Sequence, residues 1–141
     1  MCLKTIVPPG EPRVIPLSCG GALGEAALFA RDGQRIPAEQ AEIQPRGFLT
    51  HHLYKDILDG VYWAVTVIDA GVLEGRHMHF ISVAAILVSQ ESGVREVSIG
   101  REIINFQPDT SFEQRLIDQI DEAGAPESVQ QYVRLLYWNL S

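Results

Sequence analysis

The chain has 141 residues, 46% of them hydrophobic and 21% charged, with 18 Asp and Glu against 11 Lys and Arg. That length and composition suit one folded domain with its own apolar core, and they exclude intrinsic disorder and any need for disulfide or metal staples. The net charge of −7 comes without a run of Lys or Arg, which argues against nucleic-acid binding and against docking on an anionic membrane, since both need concentrated positive charge.

Cys2 and Cys19 make no CxxC pair and no zinc spacing, and read as two reduced thiols. Met1 to Thr5 lacks an apolar signal core, and Pro8-Pro9-Gly10 interrupts the segment that follows. The longest apolar-rich stretch, His79 to Val88, is too short to cross a bilayer as a helix. The expectation is a cytoplasmic protein with one domain over residues 1–141.

In chain order, residues 1–20 read as extended and punctuated by Pro8, Pro9, Pro12 and Pro16, with Val14-Ile15 as a short edge strand, where proline is tolerated. Gly20, Gly21 and Gly24 lack the lysine and the spacing of a phosphate loop and read as turn residues. Ala27 to Ile36 predicts a strand, an Asp32-Gly33 turn and a short return strand. Pro37 to Ile43 predicts one or two helical turns. Thr50 to Asp59 predicts a short helix with Thr50 as N-cap, Gly60 as the stop, and Leu53, Ile57 and Leu58 on its apolar face.

The centre carries the clearest periodicity. Val61, Trp63, Val65 and Val67 alternate with Tyr62, Ala64, Thr66 and Ile68, a period of two rich in β-branched and aromatic residues. Asp69 to Arg76, with Gly71 and Gly75, reads as a loop. His77 to Gln90 predicts a longer strand, Glu91-Ser92-Gly93 a turn, and Val94 to Ile99 the return, with Gly100 as a bulge before Glu102 to Phe106. Short connections between such strands imply an antiparallel meander.

The end reads as helical. Thr110-Ser111-Phe112-Glu113 has the form of a capping box, and Phe112, Leu116, Ile117 and Ile120 share one face. Gly124 stops that helix, and Pro126 sits just inside the next. Val129, Tyr132, Val133, Leu136 and Leu140 form the second apolar stripe. The fold class expected is α+β, an antiparallel sheet of about four to six strands with a C-terminal two-helix hairpin on one face.

Two constellations bear on function. All four histidines fall within residues 51–79. His77 and His79, two apart on a strand, share a face, and with Glu74 or Asp69 they would form a two-histidine, one-carboxylate site for a divalent metal. The spacing of Gly71, His77 and His79 resembles the opening of the first cupin motif over nine residues. The glutamate of that motif is replaced by the Ser82-Val83-Ala84 region, and no second motif follows. The tandem His51-His52 similarly resembles one fragment of the pterin carbinolamine dehydratases, with Leu53 in place of the next proline and no later His-Asp pair. Neither fragment amounts to a family. No GxSxG elbow marks a serine nucleophile, and nothing near Cys19 points to an activated thiol.

The second constellation is a surface. Asp118, Asp121 and Glu122 lie opposite the apolar stripe of the first C-terminal helix, where the ordinary reading is solvated charge. Leu135 and Trp138, three apart, lie off the main stripe of the last helix, so they are either sandwiched within the domain or part of an interface. The leading expectation is a small acidic, non-enzymatic binding or regulatory protein. It would act through a protein partner, one of basic character by charge, in the manner of an inhibitor or immunity-type protein, and would itself form a homodimer. It needs no cofactor. The alternative is a small metal-dependent enzyme or ligand-binding domain centred on His77 and His79.

Overall fold

The computed structural model describes residues 6–7, 14–17, 26–37, 41–46, 49–55, 57–73, 75–104 and 110–140. Within them run β1 (Ile6–Val7), β2 (Val14–Leu17), β3 (Ala26–Ala30), β4 (Ala41–Arg46), β5 (Leu49–Lys55), β6 (Gly60–Leu73), β7 (Arg76–Ser89) and β8 (Gly93–Ile104), then the helices α1 (Thr110–Glu122) and α2 (Glu127–Leu140). The predicted glycine-rich turn at 20–24 and both cysteines lie outside the described residues.

The main sheet has the order β1-β8-β7-β6-β3 and is antiparallel at every pairing. Its centre is the expected meander: Val65 pairs with Val83 across β6 and β7, and Ala84 with Ser98 across β7 and β8. The bulge falls where Gly100 suggested. Val83 pairs with Gly100 but Ala84 pairs with Ser98, leaving Ile99 as the extra residue. Gly100 also admits α1. A Cβ built there would stand 2.8 Å from Leu116 Cδ1 and 2.7 Å from Gln119 Oε1.

Alternation in β6 sends Trp63, Val65 and Val67 into one buried cluster and Tyr62 and Ala64 into another. The first cluster joins Ala27, Phe29, Ile81 and Val83 to Leu116, Ile117 and Ile120 of α1 and to Val129, Val133, Leu136 and Tyr137 of α2. The helical hairpin therefore lies on one face, as expected. The opposite face is covered too. Leu28, Tyr62, Ala64, Ile86 and Val94 are buried there with Tyr54 from β5 and with Ile57.

Tyr54 belongs to a second antiparallel sheet, of order β2-β5-β4, and this departs from the helices expected over 37–43 and 50–59. Thr50 to Lys55 is a central strand, paired to β2 from Leu17↔His52 to Val14↔Lys55 and to β4 from Pro45↔Thr50 to Ala41↔Tyr54. Long-range pairing on both sides overrides a weak local helical pattern. The prolines agree with the result. Pro16 and Pro45 both lie in the outer strands of this sheet, where a missing N–H does not interrupt a ladder.

The segment 69–76 is also no open loop. Among the described residues, strands β6 and β7 continue past the rest of the sheet, with Val72↔His77 and Leu73↔Arg76 closing a two-stranded ribbon. The glycines read as loop markers have other uses. A register shift between Asp69 and Gly71 places a bulge at Ala70, and Gly71 and Gly75 take positive φ of 93° and 77° at the bulge and the tip.

Replacing Trp63 by Ala removes a large aromatic from the helix-side cluster and is expected to lower stability by about 3–5 kcal/mol in urea unfolding. A loss below about 1 kcal/mol would show that the ring contributes little to this core. Gly100→Ala is expected to cost about 1–3 kcal/mol by overpacking. Exposed Gln119 can swing aside, but fully buried Leu116 cannot. An unchanged midpoint would show that α1 shifts freely over β8.

Candidate functional site

The helices end and begin through local chemistry that the sequence announces. Gly124, at φ 92°, donates its N–H to the Asp121 carbonyl, and Ala125 donates to the Ile120 carbonyl, at 3.0 and 2.8 Å. That pattern is a Schellman stop with glycine in the left-handed position. The carbonyl of Pro126 accepts from Val129 and Gln130, so Pro126 stands one step before the first helical residue of α2 rather than inside it. Ser128 then donates from Oγ to the Gly33 carbonyl at 2.6 Å, fastening α2 to the turn after β3.

Of the expected capping box, the side chain of Glu113 is described and that of Thr110 lies outside the described residues. Helix α1 begins at Thr110, and Glu113 lies one turn into it. Its Oε1 accepts from Arg134 Nη1 at 2.7 Å across the hairpin, and its buried Oε2 has no hydrogen-bond partner. A carboxylate at the start of one helix thus meets the only basic residue of the other, and the pair sets their relative register. Glu113 is almost fully buried whereas Arg134 is partly exposed. Removing Arg134 would strand a buried charge.

The rim beside β3 was not anticipated. Arg35 pairs with Phe29 in an isolated bridge and stacks over the Tyr132 ring of α2, 4.9 Å from its centroid. Phe29 and Tyr132 rings lie 5.6 Å apart. On the other side of the sheet, burial pushes the Tyr54 hydroxyl above its ordinary pKa, against smaller opposing pulls from Arg35 and from a hydrogen bond with the Leu28 backbone. Tyr54 is therefore a neutral phenol at physiological pH that anchors β5 to β3.

The histidine constellation is split by the ribbon. His79 pairs with Asp69 and Ile104 where the ribbon leaves the sheet, and His77 pairs with Val72 one step out along it. His79 lies on the face of Ile81 and Val83, which the helices cover further along β7. His79 is 8% exposed. Glu74, the proposed third ligand, lies outside the described residues, as do the side chains of His77, Asp69, His51 and His52. His51 and His52 sit in β5 of the second sheet rather than on a helix. Among the described residues, no three His, Cys, Asp or Glu side chains come together to hold a metal.

The surface constellation is intact. Leu135 and Trp138 are 58% and 47% exposed on the side of α2 that faces away from the sheet, and Asp118, Asp121 and Glu122 are exposed on α1. The buried stripe of α2 is completed by Tyr137, which the sequence reading passed over although it stands four residues after Val133 and eight after Val129. Trp138 stands edge-on to Tyr137, ring centroids 5.8 Å apart. Other large exposed apolar residues, Leu58, Val72 and Val97, are scattered over the β5–β6 connection, the ribbon and β8. Among the described residues, only Leu135 and Trp138 lie one turn apart on one element. No described helix is long and apolar enough to cross a membrane.

Comparison of the chain with protein-family models, with curated proteins and with solved structures finds no match.

The metal reading has its own measurement. It requires near-stoichiometric zinc, iron or manganese in protein purified without a histidine tag, and loss of that metal in the His77→Ala, His79→Ala double variant. The outcome expected is metal-free protein that also fails to take up metal added at micromolar concentration.

Proposed function

We propose that this chain is a small acidic binding or regulatory protein that works without catalysis of its own, by contacting a protein partner of basic character through the outer face of α1 and α2. The observation that carries this reading is the exposure of Leu135 and Trp138. Leaving an isobutyl group and an indole in water forfeits roughly 1.5–3 kcal/mol for each that burial would return in full. Trp is enriched at interfaces because it combines a large apolar area with few rotatable bonds.

Charge favours the basic character of the partner. The chain carries −7 overall, and complementary charge speeds encounter and rejects wrong partners. Small acidic inhibitors and immunity-type proteins work in this way, and the likeness here is one of size and charge. A second copy of the chain is the competing occupant of the same face.

Sedimentation equilibrium of the wild type and of Leu135→Glu with Trp138→Glu, at micromolar concentration, tests the reading together with urea unfolding. The double variant is expected to fold with stability within about 0.5 kcal/mol of the wild type, since surface changes cost little. Loss of folding would show that the two residues pack within the domain, and the reading would fall. A dimeric wild type that the variant turns into a folded monomer would assign the face to a second copy. A wild type that remains monomeric leaves it to a different protein.

A further inference from the structure

The outer layer of the helical hairpin is polarised from end to end. Two contacts set its register: Gln130 Nε2 donates to Asp121 Oδ1 at 3.0 Å, and Arg134 Nη1 donates to Glu113 Oε1 at 2.7 Å. They bring the end of α1 beside the start of α2, and the start of α1 beside the end of α2. Exposed Asp118, Asp121, Glu122 and Glu127 therefore gather at one end of the pair, and Leu135 and Trp138 occupy the other. The two helices contain only two basic residues, Arg115 and Arg134, and Arg134 is engaged by Glu113. From Glu127 to Leu135 is eight residues, about 12 Å along the helix axis, or a little over two turns.

Resting on the protein-binding reading above, we infer that this face takes a basic amphipathic helix of another protein. Its apolar side chains sit on Leu135 and Trp138, and its Lys or Arg residues lie about one to two turns away against Asp118, Glu122 and Glu127. A second copy fits less well. Half-exposed Trp138 offers on the order of 100 Å², whereas a stable interface takes about 800 Å² from each partner. Extending the contact along the hairpin to reach that area would bring the acidic ends into the interface, where like charges are costly. An extended segment also fits less well. Helices have their own backbone N–H and C=O groups internally bonded and cannot pair with a strand, so a strand buried here would leave its backbone polar groups unmatched. A helix satisfies its own backbone and packs its side chains on the outer faces of α1 and α2.

The test is a fluorescence anisotropy titration of the full chain with two labelled helical peptides of about 18 residues, long enough to hold a helix. One carries Leu and Trp at one end and lysines two turns away; the other has glutamate in place of each lysine. The basic peptide is expected to bind, more weakly as salt rises, and the acidic peptide to fail. Asp118→Asn with Glu122→Gln is expected to weaken binding about three- to tenfold, the effect of two partly exposed ion pairs. Asp59→Asn with Glu91→Gln, which changes the net charge equally at exposed residues outside the two helices, is expected to leave it unchanged. Equal weakening by both charge variants would reveal diffuse attraction to an acidic chain and overturn the site. Equal binding of both peptides, lost in Leu135→Glu with Trp138→Glu, would overturn the basic helix while the protein-binding reading stands. Binding of neither peptide overturns this inference alone, because sedimentation and folding of the Leu135 and Trp138 variant judge the broader reading independently.

Discussion

Strand β6 is buried on both faces, and the architecture follows from that. Trp63, Val65 and Val67 point one way and Tyr62 and Ala64 the other, and all are buried. A strand of this kind cannot sit at a surface, because each face removes apolar area from water only when another layer covers it. The helical hairpin supplies one cover. Tyr54 and Ile57, from the second sheet and the segment after it, contribute to the other. β7 shares the constraint, with Ile81 and Val83 under the helices and Ala84 and Ile86 on the opposite side.

Given that core, the helices have little freedom to rotate. Leu116, Ile117, Ile120, Val129, Val133 and Tyr137 must face the sheet, and Gly100 lets α1 come close to β8. Ser128 holds α2 to the Gly33 turn, and Glu113 with Arg134 holds one helix to the other. What these contacts turn outward is decided by elimination. Leu135 and Trp138 point away from the core because the opposite side of α2 is already filled, and the acids of α1 are exposed for the same reason. The candidate surface is thus a consequence of core packing, which is why its two halves keep a defined spacing.

The histidine pair shows how a correct local inference can leave the chemistry open. His77 and His79 lie two apart on one strand, β7, as expected. Of the two side chains only that of His79 is described, and it is buried where, among the described residues, the sheet narrows to β6 and β7. A metal centre needs a third ligand converging on the pair and an open path to it. Neither is a property of spacing along the chain.

Much of the fold was legible because its signals are local. Alternation over 61–68 specifies a strand, the stripe from Val129 to Leu136 specifies an amphipathic helix, and Gly124 and Gly100 mark a stop and a bulge through the absence of a side chain. That Leu135 and Trp138 lie off the buried stripe was legible too, but not that they are exposed rather than sandwiched within the domain. The second sheet was not. Thr50 to Lys55 carries no strong period, and its strand conformation comes from partners that are distant in sequence, among them Leu53 with Pro16 and Tyr54 with Ala41. The ribbon beyond Asp69 was hidden by glycines that mark loops and bulges alike. By itself the sequence determined the class of fold, the helical faces and the acidity, because periodicity and charge are carried by neighbouring residues. Only the tertiary structure decided that the sheet is covered on both sides, that Glu113 meets Arg134, and that the acidic and apolar patches lie at opposite ends of one surface, because each depends on which distant segments come together.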